Sequence, residues 1–410
     1  MVEIIDVENR LSVAEINYYM SLVDTRRDDS LVAYYEGKNP PIIKEGYNRD
    51  LARKDPNNVI PLPIARKTIN DVVGYAYKSG NVTYKFDGDE TSQELITTIL
   101  DKNEEQIESN EIFTDACILG TGAEVMYFDG NDILFARVDP RQCYFRYSDD
   151  VKGDTLEFSM RFYKSSNVNK SGGVAITDKL EVYTSEYVHF YDKLEASSNY
   201  IYRDSEMHIF GKVPLYPYAI NRDKMGIYEA SVSIIDKLDG LGSESIANSI
   251  DQFNDTILML SKTVTEEDAF KIKELKLIDG LGDKTQGNFA EFLQRNLDIA
   301  GTLESTKLFE RWYYEYTGVP NLDNDKFSDK SGLAMLFALI PFENLISAVE
   351  GYFNRGLKYR IMLIQNGLKV LFDGYRDIDV EVDWKRNLPQ DIKNIILIMK
   401  DLKEVDIVSN

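Results

Sequence analysis

Apolar residues recur every three or four positions over most of this chain and every two over one central block. That pattern predicts helices on either side of an antiparallel sheet. Residues 9–28 put Leu11, Ile16, Tyr19, Met20 and Val23 on one helical face. Asn39-Pro40-Pro41 breaks the chain, and a second helix over 61–80 is entered through prolines. One or two helices follow over 91–119 and end at Gly120-Thr121-Gly122. There the period falls to two. AEVMYF and ILFARV flank the turn Asp129-Gly130-Asn131-Asp132, which is a hairpin pattern. LEFSMRFYK, KLEVYT, YVHFYDK and YIYRD continue it, giving about five to seven strands across 123–213. The insert SSNVNKSGG (165–173) reads as a loop, and Pro214 and Pro217 close the sheet.

Beyond the sheet, residues 227–262 read as one long helix with Ile227, Ile234, Leu238, Leu241, Ile246, Ile250, Phe253, Ile257 and Leu260 on one face. It would be about 54 Å long. Its other face, rich in Ser, Asn and Gln with Gly240 and Gly242, suits close packing on neighbours, and a long helix inside one core is the other reading. Residues 263–299 are a charged, Gly-rich excursion with little apolar content. A helix returns over 300–317 with Leu303, Leu308, Phe309, Trp312, Tyr313 and Tyr316, and ends at Gly318-Val319-Pro320. The polar loop NLDNDKFSDKSG follows. A long stripe then runs from Leu333 through Leu336, Phe337, Ile340, Leu345, Val349, Phe353 and Leu357 to Ile361 and Ile364. Pro341 lies inside this stripe, and its missing amide predicts a kink or break near 337–341. IDVEVDWK reads as a strand, and LPQDIKNIILIMKDLKEV as a final helix with Pro389 in its first turn. The predicted fold class is α+β, with helices segregated from an antiparallel sheet.

Composition narrows the function. The chain has 410 residues, 43% hydrophobic, with a formal net charge of -22. That length allows two or three domains or one elongated subunit. An acidic chain is unsuited to coating nucleic acid, which needs a basic face. Cys117 and Cys143 stand far apart in apolar surroundings and read as buried free thiols. Two histidines, His189 and His208, are too few for the common histidine-based metal or catalytic sites. No run approaches a membrane span, and the first residues lack a secretion pattern. Leu119-Gly120-Thr121-Gly122 lacks the lysine and the following helix of a phosphate loop. Asp87, Asp89 and Glu90 read as a solvated turn, and Asp139, Asp149 and Asp150 lack a suitably spaced lysine or histidine for a nuclease. Nothing here assembles a catalytic or cofactor site, so the chain reads as architectural, not an enzyme.

Several segments in order resemble one family: YYEGKNPPI, NNVIPLPIARKTINDVVGYAYKSGNVTYK, LGTGAEVMYFD, the run from VPLYPYAINRDK to DTILML, NLDI before an aromatic helix, GVPNLDNDKFSDKSGLAMLF, and VDWKRNLPQD. Together they resemble the portal proteins, or head-to-tail connectors, of long-tailed bacteriophages of Gram-positive hosts. The resemblance implies a ring of about twelve subunits, or about thirteen in isolation, at one capsid vertex of the virion. Double-stranded DNA would pass through it in packaging and ejection. The implied partners are the terminase large subunit, a head-completion or adaptor protein, and the major capsid and scaffolding proteins. No membrane is involved, no cofactor or metal is implied, and assembly would be in the host cytoplasm.

By the same resemblance residues 1–226 would be the wing, 227–262 and 300–317 the stem helices, and 263–299 the clip. Residues 318–331 would be the tunnel loop, 332–366 the kinked helix of the wing, and 367–410 wing and a short, possibly truncated, crown. The tunnel loop would bring Asn324, Asp325, Lys326, Phe327, Ser328, Asp329 and Lys330 to the DNA channel, with Pro341 as the helix kink. Clip residues Lys271, Lys273, Glu274, Lys276, Asp283 and Lys284 would dock the packaging motor. An acidic ring lumen would repel DNA and ease its passage, with Lys326 and Lys330 giving weak phosphate contacts or simply ordinary loop solvation. Another virion connector or baseplate ring, or a metal-dependent nuclease, are the competing readings.

Overall fold

The computed structural model describes residues 10–40, 60–78, 80–168, 174–194, 199–253, 256–260, 289–293, 299–321 and 332–386. The first element, α1 (Val13–Leu22), starts at a capping box: the Ser12 hydroxyl accepts from the Glu15 amide and the Glu15 carboxylate accepts from the Ser12 amide. A second helix, α2 (Arg26–Glu36), starts after a break and ends at Gly37 in the left-handed conformation. The single helix expected over 9–28 is therefore two. The Asp24 carboxylate accepts from the Arg26 amide and guanidinium, a local bond that competes with helix continuation.

The chain then forms α3 (Ile64–Ala76), β1 (Val82–Asp87), α4 (Glu90–Lys102) and α5 (Glu105–Leu119). Asp89 caps α4 by accepting from the Ser92 amide at 3.0 Å, which gives the acidic 87–90 segment its use. Gly120 ends α5 at φ +83°, and a Cβ there would meet the Lys224 carbonyl oxygen at 2.0 Å. Only glycine fits that left-handed close approach.

The sheet block comprises β2 (Thr121–Phe128), β3 (Ile133–Arg137), β4 (Cys143–Tyr147), β5 (Leu156–Val168), β6 (Val174–Tyr183), β7 (Tyr187–Leu194), β8 (Ile201–Met207) and β9 (Leu215–Ala219). It is two antiparallel sheets, not one. The first has the order β3-β2-β9 and the second β4-β5-β6-β7-β8. Pro217 sits within β9, an edge strand, where the missing donor costs least. β5 also runs on through Val168, into the segment expected as loop.

Next come α6 (Val232–Phe253), β10 (Thr256–Leu260), β11 (Phe289–Leu293), α7 (Ile299–Thr317), α8 (Gly332–Leu371) and β12 (Asp379–Trp384). The long helix expected over 227–262 is thus shorter at both ends, and its last residues are β10, paired antiparallel with β11. The β-branched pair Thr256-Ile257 favours strand, and apolar Ile257 and Leu260 fit either period. β12 pairs antiparallel with β1, from Val82 opposite Trp384 to Asp87 opposite Asp379. The final helix expected after Leu388 lies outside the described residues.

The chain divides into two compact units: Met1–Pro40, Pro63–Ser233 and Tyr313–Asn410 form one, Pro41–Leu62 and Ile234–Trp312 the other. Both α6 and α7 have residues in each. In the first unit, α1 covers one face of the five-stranded sheet, with Ile16 among Phe158, Met160, Leu180, Val182 and Tyr191. A second cluster joins α4 and α8 to the three-stranded sheet through Ile96, Leu100, Met126, Phe135, Ile361, Ile364 and Leu368. In the second unit, the amides of Ile60 and Leu62 bond Ser243 and Asp239 of α6.

Both cysteines are free, and burial pushes each thiol well above its usual range. No helix among the described residues is long and apolar enough to cross a membrane.

Candidate functional site: the long helix and its anchors

The segment singled out by its polar loop begins where α7 stops. Tyr313 is buried at the end of α7, where its hydroxyl and that of Thr68 lie 2.7 Å apart. Gly318 turns the chain at φ +72°, and Val319 is buried. Asn324, Asp325, Lys326, Phe327, Ser328, Asp329 and Lys330 follow and lie outside the described residues. So do Lys271, Lys273, Glu274, Lys276, Asp283 and Lys284. Of the residues expected to act, Pro341 is described.

Pro341 lies inside α8, which continues past it on both sides, so the helix does not break there. Having no amide, Pro341 leaves the Phe337 carbonyl without its usual partner one turn on. Ile340 is half exposed, whereas Phe342 is buried. Leu339, on the other side of the proline, is buried as well, and polar contacts follow just beyond Pro341. The Phe342 ring lies 4.7 Å from that of Tyr75. The Tyr75 hydroxyl donates to Glu343 Oε2 at 2.8 Å. Arg386 Nε donates to Glu343 Oε1 at 2.7 Å, and its Nη2 to Glu350 Oε2 at 2.8 Å. Trp384 Nε1 donates to Asn354 Oδ1 at 2.7 Å. The end of β12 and the residues after it therefore clamp one stretch of α8. Burial, helped by the bond and charge of Glu343, pushes the Tyr75 hydroxyl up to about 12.

Farther along, α8 enters the core. Gly356 faces the Tyr218 ring so closely that a Cβ would lie 2.2 Å from it. Phe353 packs edge-on to Phe113 and Trp384. Arg360 is fully buried between two carboxylates. Its Nε donates to Glu124 Oε2 at 2.9 Å, its Nη2 also bonds that carboxylate, and its Nη1 reaches Glu105 at 3.0 Å and Ser109 at 2.7 Å. Tyr84 and Tyr218 hydroxyls donate to Glu105 and Glu124. The guanidinium also lies 4.5 Å from the centre of the Phe135 ring. Burial, with Glu105 nearby, raises Glu124 above its ordinary range despite the attraction of Arg360. Two carboxylates here share one cation.

These side chains hold one another: each has a hydrogen-bond partner, although Arg386 Nη1 is buried without one. Other acids are similarly engaged: Asp115 with Arg137, and Asp139 with Arg141. His208 Nε2 lies 3.0 Å from the Thr184 carbonyl oxygen, and buried His189 lies 2.7 Å from the Ser205 hydroxyl. Gly120-Thr121-Gly122 joins a helix to a strand, the reverse of a phosphate loop. Among the described residues no group of three or more His, Cys, Asp and Glu is placed to hold a metal ion.

Sequence reasoning passed over Arg360, Arg386, Tyr75 and Glu343. For Arg360 a signal was present: it sits three residues after Leu357 and four before Ile364, inside the apolar stripe. An arginine there must be buried with partners or distort the helix. Arg386 carried no such signal.

The sequence pattern of the family described as "Phage portal protein, SPP1 Gp6-like" matches residues 24–410. No curated protein matches the chain.

Proposed function

The chain belongs to the SPP1 Gp6-like family of phage portal proteins, and from that premise we propose how its parts divide the work of genome passage. As a portal protein it acts in phage DNA packaging and in the head-tail connector. The family is structural rather than catalytic, and it implies a ring at the capsid vertex with DNA, capsid and packaging motor as partners. The match over nearly the whole chain carries this reading.

The finer assignments are our reading. The subunit is not an enzyme, the ring holds about twelve copies, and ATP hydrolysis belongs to the separate terminase large subunit. Assembly takes place in the host cytoplasm. The unit containing Ile234–Trp312 is the stem and clip, and Lys271, Lys273, Glu274, Lys276, Asp283 and Lys284 dock the motor and later the adaptor protein. The other unit is the wing. Support comes from α6 and α7, two helices with residues in both units, and from the family order of segments. Because β12 pairs with β1, the wing extends to Trp384, and any crown begins beyond Arg386.

Residues 318–331, between α7 and α8, are the tunnel loop, and Lys326 and Lys330 touch passing phosphates weakly enough to let DNA slide. Pro341 lets the tip of α8 and its loop yield while the clamp beyond it holds. A Pro341→Ala chain that assembles and packages DNA at the unaltered rate removes that role. The ring itself is tested by electron microscopy with mass measurement of the purified protein. Rings with a central hole support the reading. A species that stays monomeric under assembly conditions argues against it.

A further inference from the structure

A ring built head to tail needs two different, complementary faces on each copy. On α8, Ile361, Ile364 and Leu368 share a cluster with Ile96 and Leu100 of α4. At roughly 100° per residue, Arg355 lies about 150° around the helix from that stripe. Arg355 and Lys358 are exposed, and neither is in an ion pair among the described residues. The Arg355 guanidinium lies 5.0 Å from the centre of the Tyr352 ring. Beside it Tyr359 stacks on Tyr216 at 3.8 Å. Lys224 lies 4.4 Å from the centre of the Tyr147 ring, and Met225 next to it is 39% exposed. Lys224 has a φ of +54°, a strained conformation for a residue with a side chain. This is a cationic, aromatic face on a chain of net charge -22.

The opposite side of α8 carries α4, whose buried face meets the core and whose outer face is acidic. Glu90, Glu94 and Asp101 fall on one exposed stripe, and exposed Glu104 stands at the turn between α4 and α5. Among the described residues none of the four is in an ion pair, since Lys102 is taken by Asp132. Ile107, 58% exposed, supplies an apolar centre. A charged rim around an apolar contact is the ordinary anatomy of a protein interface.

We propose that the Tyr352–Arg355–Lys358 face of one copy receives the acidic α4 face, with Ile107, of the next copy in the ring. The proposal rests on the ring reading above. Opposite charge here sets partner orientation and speeds encounter.

The test uses the full-length chain, with ring formation followed by mass and electron microscopy over a range of concentrations. Arg355→Glu with Lys358→Glu, and separately Glu94→Lys with Asp101→Lys, should leave the melting curve of the unassembled chain unchanged and raise the concentration for half-assembly at least about tenfold. Joining all four substitutions in one chain should restore assembly to within about threefold. Reversal variants that assemble like the unaltered chain overturn the proposal. So does a four-substitution chain that fails to recover. Normal rings of the Arg355→Glu, Lys358→Glu chain that retain less duplex DNA overturn it in favour of a DNA contact. An unaltered chain that never forms rings removes the ring reading itself, a result distinct from all of these.

Discussion

The two parts of α8 are held by different chemistry. Around Arg360 the helix is fixed from every side: a shared guanidinium, a glycine pressed against Tyr218, and an apolar cluster. At Pro341 one backbone bond is absent and Ile340 is half exposed between buried Leu339 and Phe342, while the polar anchors described, Tyr75 and Arg386, lie beyond it. Helix propensity points the same way, since proline is the least favourable residue for a helix interior. On the reading proposed above, one continuous helix is held at its base and yields near the loop it carries. A structural protein that must let a long polymer pass has a use for both.

The comparison can be broken at its strong end first. Arg360→Met leaves Glu105 and Glu124 buried without their cation and should cost about 3–5 kcal/mol. Equilibrium denaturant unfolding of the full-length chain reads it. Arg386→Met removes two bonds from a partly exposed site and should cost about 1–3 kcal/mol, with faster amide exchange confined to residues 342–350. If Arg386→Met matched Arg360→Met, the two regions would not differ as described.

A smaller effect concerns pH. Folding raises Glu124 above its ordinary carboxylate range, so the folded chain binds that proton more tightly than the unfolded chain. The resulting stability is fully present below the ordinary carboxylate range and is lost as pH rises through the raised value. The melting temperature of the unaltered chain, minus that of Glu124→Gln, should therefore narrow as pH rises above the ordinary carboxylate range. A widening gap would reverse the assigned sign. Smallest of all, Asp24→Asn removes an exposed carboxylate that its Arg26 bond holds at about 2, and should leave melting near pH 7 unchanged because solvent screens the pair.

Local pattern made much of this legible. α7 ends at Thr317 before Gly318, the hairpin turns at Asp129–Asp132, and β12 falls within IDVEVDWK, because each has its own cap, turn or alternation. What escaped depended on distant partners. β1 was not read from NVTYKFD, because its pairing partner lies near the other end of the chain. Alternation along 123–213 marks strands but not which sheet each joins, so two sheets read as one. The end of α6 was overextended because Ile257 and Leu260 satisfy both periods. For the site, the proline was visible as a break in helix chemistry. The Arg386 clamp was not, since its partners Glu343 and Glu350 look like ordinary surface acids in sequence.

Amide hydrogen exchange along α8 in assembled rings tests the central claim most directly. A helix anchored beyond Pro341 and compliant before it should exchange residues 333–340 at least about a hundredfold faster than residues 345–366. Equal protection on both sides of Pro341 would contradict the account, leaving α8 a uniform strut with no yielding tip.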